Sequence, residues 1–251
     1  MKNEPQNYLF LGLPESGKTT CFSLMAYHLQ QLANKTSDLR FLYREDNTSI
    51  FIDDCIVRLK HKKWPDKTKE CTCGYSFEFR KYGFFKMFGF NTLFINCHDC
   101  SGKAFEVAFG NSGDALENMI KNGDDIKEKI KTAAGVFLVL DSDDLFNGVE
   151  TSKLENCMVN LLQFIQESNE DMRIAVLFNK LELFFNEEIN LKERFRKQYR
   201  NAYSYLSVLN CHFFDVYPLG SVETKDDGKI DPPSNILPRK ILDPIRWMIG
   251  F

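Results

Sequence analysis

Hydrophobic positions along this chain follow two alternating patterns. Leu9-Phe10-Leu11, Gly135-Val136-Phe137-Leu138-Val139-Leu140-Asp141 and Ile174-Ala175-Val176-Leu177-Phe178 are near-continuous apolar runs. Runs of that length and purity suit strands buried on both faces of a parallel sheet. Tyr75-Ser76-Phe77-Glu78-Phe79-Arg80 alternates as a half-exposed strand does. With 90–97, beyond a glycine-bounded turn, it predicts an antiparallel hairpin. Residues 212–217 read as the last strand. Between the strands, Cys21, Leu24, Met25, Leu29 and Leu32 recur at helical spacing, as do Leu154, Met158, Leu161, Leu162 and Ile165 within 152–167. Further helices are expected over 113–131, 191–206 and 236–249, with 223–233 as a turn before the last.

The stretch 39–64 is less regular. Ile52, Cys55, Ile56 and Leu59 share one helix face, with a start near Asn47 and a basic end at Arg58-Leu59-Lys60-His61-Lys62-Lys63. Cations at a helix C-terminus oppose the dipole favourably, so this end reads as solvated. Alternating strands and helices predict one α/β domain over 1–251: a mostly parallel six-stranded sheet with one antiparallel hairpin and helices on both faces. About 39–74 is expected to form a helical insertion plus a first-switch region within it.

Composition narrows the class. A chain of 251 residues buries roughly 70–75% of its unfolded surface and needs no staples. The net charge of −3 gives no pull toward nucleic acid or anionic lipid, so neither is expected as a partner. Met1-Lys2-Asn3-Glu4-Pro5 leads into the first strand without an apolar leader, which predicts a cytoplasmic location and reduced thiols for the eight cysteines. The longest apolar run, 133–140, is too short to span a bilayer, so no integral membrane segment is expected. Most of the 23 phenylalanines are read as core.

Three stretches carry chemistry. After the first strand comes Gly12-Leu13-Pro14-Glu15-Ser16-Gly17-Lys18-Thr19-Thr20, a Gly-x-x-x-x-Gly-Lys-Thr loop opening a helix. Its amides and the helix N-terminus suit a phosphate chain, Lys18 reaches the outer phosphates, and the Thr19 hydroxyl suits Mg²⁺. About 80 residues later, His98-Asp99-Cys100-Ser101-Gly102 ends a strand. Asp99 there suits Mg²⁺ through water, and the Gly102 N–H suits a γ-phosphate. The third stretch is Asn179-Lys180-Leu181-Glu182, again at a strand end. In guanine-nucleotide proteins an Asn-Lys-x-Asp reads the base, its acid accepting two N–H bonds that adenine lacks. Here the acid is one methylene longer.

That order of motifs, with Gly220-Ser221 after the last strand, resembles the Ras-like, TRAFAC-class P-loop GTPases over nearly the whole chain. Within them it is most similar to the bacterial double-GTPase group of conflict and signalling systems. The narrower likeness rests on 12–20, Trp64-Pro65-x-x-Thr68, Asp99-x-x-Gly102-x-x-Phe105 and Leu242-Asp243-Pro244-Ile245-Arg246-Trp247. The resemblance implies a switch that binds GTP or GDP with Mg²⁺ and signals to a protein effector or activating partner. Nucleotide contacts would come from Pro14, Glu15, Ser16, Gly17, Lys18, Thr19, Thr20, Asn179, Lys180, Glu182 and Ser221. Mg²⁺ would be held by Thr19, Asp99 and a first-switch threonine, either Thr68 or Thr72, with Thr68 favoured by its string. Lys18, Thr68 and Gly102 would carry catalysis.

Two departures bear on rate. Lys103 stands where many relatives carry a water-orienting Gln, and a protonated Lys accepts no hydrogen bond. Pro14 sits where a side chain crowds the transition state. Intrinsic hydrolysis is therefore expected to be slow, and His98 is a candidate local helper. Other readings are a P-loop kinase or ATPase with a small acceptor, or a scaffold that binds nucleotide without turnover. Cys71 and Cys73 face Cys97, His98 and Cys100 across the expected hairpin, so a zinc site is conceivable there.

Overall fold

The computed structural model describes residues 6–44, 46–65, 75–82, 91–110, 117–147, 151–184, 190–224, 230–233 and 235–249. Among these, seven strands form one sheet in the order β2-β3-β4-β1-β5-β6-β7. The strands are β1 (Gln6–Leu11), β2 (Leu39–Tyr43), β3 (Ser76–Tyr82), β4 (Asn91–Asp99), β5 (Gly135–Asp141), β6 (Arg173–Asn179) and β7 (Cys211–Asp215). β4, β1, β5, β6 and β7 run parallel, and β3 runs antiparallel to both β4 and β2. The α/β class and the hairpin are therefore present, but the sheet has one strand more than the six expected.

The extra strand is β2, where a helical insertion was expected to begin. Phe41 pairs with Phe79 and Tyr43 with Phe77, so its aromatic face joins the core. Its alternation is blurred because Leu42 lies on the other face, 37% exposed. The chain then turns into α2 (Asp46–Lys60), whose buried Thr48 hydroxyl accepts the Ser76 N–H at 3.1 Å.

Strand alternation divides the core into two layers. Tyr8, Phe10, Phe137, Val139, Ala175 and Leu177 face α1 (Lys18–Lys35), α2 and α9 (Asp243–Ile249). Leu9, Leu11, Val136, Leu138, Val176 and Phe178 face the opposite side. There they meet α3 (Gly102–Phe109), α4 (Glu117–Thr132), α6 (Thr151–Ser168), α7 (Leu191–Gln198) and α8 (Arg200–Val208). The centre of the first layer is aromatic. Phe10 stacks on Phe137 with centroids 4.5 Å apart and meets Phe22 edge-on at 5.2 Å.

Three other expectations need correction, and two helices were not foreseen. A separate helix, α3, starts at the Asp99 loop, capped by Ser101, whose hydroxyl accepts the Ala104 N–H at 3.4 Å. The helix expected over 191–206 breaks at Tyr199 into α7 and α8. The closing helix is only Asp243–Ile249. Pro238 has no N–H to continue a helix, and the preceding chain instead pairs Arg239 with Tyr217. The turn over 223–233 contains two short antiparallel strands, β8 (Glu223–Thr224) and β9 (Ile230–Asp231). A short helix, α5 (Ser142–Asn147), also follows β5. No described helix is long and apolar enough to cross a membrane.

Phe137 is almost fully buried between Phe10 and Tyr8. Phe137→Ala is expected to lower unfolding stability by about 3–5 kcal/mol. Leu42→Ala, on the exposed face of β2, is expected to change it by less than about 1 kcal/mol. Urea unfolding followed by circular dichroism checks both.

Candidate functional site

The Gly12–Gly17 loop leaves β1 at its carboxyl end and enters α1. Glu15 and Gly17 both adopt left-handed backbone, at φ 66° and 74°, and turn successive amides into one concavity. No side chain caps the first turn of α1, so its N–H groups remain available to an anion. Gly17 is also needed for space: a Cβ there would lie 2.5 Å from the Asn179 side-chain nitrogen. Pro14 and Glu15 form the exposed tip, while Ser16 and Lys18 are buried and Thr19 and Thr20 half-buried.

β4 delivers Asp99 beside this loop. The Thr19 hydroxyl donates to Asp99 Oδ2 at 2.8 Å, and Lys18 Nζ stands 3.7 Å from Asp99 Oδ1. Burial raises the Asp99 pKa from its ordinary value, opposed by the Lys18 charge and the Thr19 hydrogen bond. Gly102 follows in a close approach: a Cβ at that position would lie 2.6 Å from the Pro14 nitrogen. The side chain of Lys103 projects outward from the first turn of α3.

β6 brings the third stretch to the same edge of the sheet. Asn179 Nδ2 donates to the Ser16 carbonyl at 2.8 Å. Lys180, in left-handed backbone at φ 62°, turns the chain into a 3₁₀ turn over Leu181–Phe184. Its ammonium forms a tight ion pair with Asp141, at the end of β5, and Asp141 also accepts the Asp143 N–H. Glu182 is buried, and its Oε1 accepts the Leu219 N–H at 3.4 Å. Burial pushes its pKa up to about 7, resisted by backbone N–H groups of Glu182 and Leu219 and by the Lys180 charge.

The end of the Gly12–Gly17 loop and the Asn179 loop line a pocket of about 340 Å³, to which Ser16, Lys18, Thr19, Asp99 and Gly102 contribute no wall. Gly17, Thr20, Asn179, Lys180, Glu182 and Leu219 are among its walls, as are Trp64, Pro65, Val222 and Ile230. Several buried polar atoms lack a hydrogen-bond partner: Asn179 Oδ1 and Glu182 Oε2 on residues that line the pocket, and Ser16 Oγ and Asp99 Oδ1 on residues that do not. Chemically, the arrangement suits a ligand with an anionic tail and a donor-bearing ring. Asp99 and Thr19 supply hard oxygen atoms of the kind Mg²⁺ takes, and Asp99 Oδ1 has an unused acceptor position, so the residues present fit that ion.

Several expected residues fall elsewhere. Ser221 is exposed on the loop after β7 and does not line the pocket, whereas its neighbours Leu219 and Val222 do. Thr68, Thr72, Cys71 and Cys73 lie outside the described residues, as do the side chains of Cys97 and His98. Cys100 is buried, its thiol pushed up to about 12 by burial. Among the described residues, no three His, Cys, Asp or Glu side chains cluster as a metal site. Sequence reasoning missed Asp141, Trp64 as a pocket wall, and Leu219. Asp141 had a signal, as an acid at the end of a buried strand; the other two depend on tertiary approach.

No family model matches the chain, and no curated protein matches it. Solved structures do. The GTPase-like domain of S. cerevisiae Ski7, bound to GTP, is 13% identical, with 91% of this chain and 46% of that chain covered at a TM-score of 0.50. A GTP-binding protein from Sulfolobus solfataricus in complex with GDP is 12% identical over 98% of this chain and 52% of that chain, with a TM-score of 0.45. An ADP ribosylation factor-like GTP-binding protein from Encephalitozoon cuniculi, in complex with GDP, is 13% identical over 99% and 81%, with a TM-score of 0.44. The chain thus spans about half the length of the Ski7 and Sulfolobus chains. At this identity the likeness concerns the fold alone, a mostly parallel α/β sheet with helices on both faces.

Proposed function

We propose that this chain binds GTP and GDP, hydrolyses GTP slowly and acts as a switch read by a partner protein. One observation carries the reading. The unpartnered Glu182 Oε2 and Asn179 Oδ1 belong to walls of the same pocket, and Asn179 also grips the phosphate loop through Ser16. A guanine ring presents an N1–H and an exocyclic amine on one edge, the donor pair that a fixed carboxylate accepts. Adenine would leave that carboxylate unpaired.

In this reading the loop amides and Lys18 hold the phosphates, and Lys180 lies along the nucleoside, steadied by Asp141. Thr19 and Asp99 would hold Mg²⁺, with a threonine of the first switch, Thr68 or Thr72. When bound, the ion would neutralise charge on the phosphate oxygens. Gly102 would offer its N–H to the γ-phosphate, so that α3 reports which nucleotide is present. Lys103 cannot orient water as a Gln does, and catalysis would rest on positioning until a partner supplies the missing group. The likeness of 12–20 and 242–247 to the bacterial double-GTPase group supports a role in prokaryotic conflict or signalling systems.

Isothermal titration with GTP, GDP and ATP tests the reading directly. Both guanine nucleotides are expected to bind, with ATP weaker by about 100-fold or more; an ATP preference would overturn the base assignment. Lys18→Ala is expected to weaken GTP binding by about 100-fold or more while leaving the far-UV spectrum unchanged.

Glu182 gives a pH signature. Its carboxyl titrates near 7 in the free protein, and guanine binds the ionised form, so protonation opposes binding. GDP affinity is expected to fall about tenfold from pH 8 to pH 6, the linkage for uptake of one proton. Glu182→Gln should bind more weakly at pH 8 and lose this slope. Titration calorimetry at several pH values reads both effects.

A further inference from the structure

One wall of the pocket comes from neither the phosphate loop nor the Asn179 loop. α2 ends in a turn in which the Lys62 N–H donates to the Leu59 carbonyl at 3.0 Å and the Lys63 N–H to the Arg58 carbonyl at 2.9 Å. This is the bonding pattern of a helix terminator that normally carries glycine at its left-handed position. Here that position is Lys62, at φ 57°. The turn sends Trp64 and Pro65 to the pocket, whose lining they share with Glu182 and Asn179.

Two polar contacts tie this segment to the β8–β9 hairpin. The Trp64 indole N–H donates to the Ile230 carbonyl at 3.0 Å. Lys62 Nζ pairs with Glu223 Oε2 at 2.5 Å. Trp64 and Ile230 both line the pocket, yet they remain 45% and 39% exposed. The other walls are loops rooted in β1, β6 and β7. The wall made by Trp64 and Ile230 is closed by surface contacts instead, so it is the one that yields at least cost.

We propose that the Trp64–Ile230 and Lys62–Glu223 contacts form a latch over the nucleoside end of the pocket and set the rate at which bound nucleotide leaves. The proposal rests on the guanine-nucleotide reading. An exposed ion pair and a single hydrogen bond are each weak, so the latch opens without unfolding any element of the sheet. The flat indole also gives the ligand ring an apolar surface while its N–H stays satisfied by Ile230. Left-handed backbone at Lys62 directs the chain leaving α2 into this position.

The test measures release of a fluorescent GDP analogue from the full chain, chased with excess unlabelled GDP. Lys62→Glu and Glu223→Lys are each expected to speed release by about two- to fivefold, in keeping with an exposed pair. The doubly reversed chain should return to within about twofold of wild type. Trp64→Phe keeps a ring but lacks the indole donor, and should speed release by about three- to tenfold. Glu223→Gln is a milder variant that removes the charge should a reversal fail to fold, and faster release is expected from it too. Unchanged release in all folded variants, or a double reversal that leaves as fast as the single ones, overturns the latch. If wild type binds no guanine nucleotide, the reading of the pocket falls first and takes the latch with it. Normal binding with unaltered release removes the latch alone.

Discussion

The side-chain amide of Asn179 holds the carbonyl of Ser16 at 2.8 Å, and the candidate site depends on that hydrogen bond. Its partners leave the ends of β6 and β1, which are separated in the sheet by β5. The amide therefore spans the top of a strand, and β5 contributes as well: Asp141, at its end, holds Lys180. Three neighbouring strand ends are thereby tied into one rim. In open α/β sheets the crevice beyond the strand carboxyl ends is where ligands bind. Side chains and main-chain bonds in this molecule make that crevice rigid at its floor.

That floor holds polar groups at a cost. A buried acceptor without a partner forfeits about 1–3 kcal/mol, and Ser16, Asn179 and Glu182 each contribute an atom of this kind. The net stability of a domain is only about 5–15 kcal/mol, so such atoms are not kept by packing alone. The pKa of Glu182 follows from the same tension. Raised to about 7 from an ordinary 4.5, it makes the folded protein bind a proton that the unfolded chain releases between those values. Glu182 thus favours folding less as pH rises through that window. A ligand that donates two N–H groups to the carboxylate removes the penalty, which couples occupancy of the pocket to stability.

The parallel core was legible because apolar runs such as 136–140 and 174–178 have only one good use, burial on both faces. The strand-end positions of the Gly12–Gly17 loop and of Asn179 were legible because each follows such a run, and that of Asp99 because it ends the second strand of the expected hairpin. β2 was not, since five residues with Leu42 on the exposed face give too little alternation to separate strand from loop. The closing helix was overextended because the apolar spacing of 236–249 outweighed Pro238 in the reading, while in the fold Arg239 pairs with Tyr217 instead. Trp64 as a pocket wall was beyond local reasoning altogether: it is 115 residues from Asn179 in sequence and reaches the pocket only through the left-handed turn at Lys62. Leu219 was hidden for a different reason, because it acts through its main-chain N–H, which no side-chain pattern reports.

Leu219 also bears on Glu182, the one position of the proposed base reader that departs from the guanine pattern. A Glu in place of Asp brings an extra methylene, and a longer side chain has more rotamers in which to miss its target. In this fold that freedom is limited. The Leu219 N–H from the loop after β7 takes one carboxylate oxygen, and burial on the 3₁₀ turn confines the stem. The other oxygen is left unbonded in a wall of the pocket. The added length is thus met by a donor from a neighbouring loop, and under the proposed guanine reading base recognition would depend on two strand ends, β6 and β7, keeping their register. Backbone pairing of Ile174 with Cys211 through Phe178 with Asp215 fixes that register. The Val216 N–H, donating to the Phe178 carbonyl at 3.0 Å, carries it to the start of the loop.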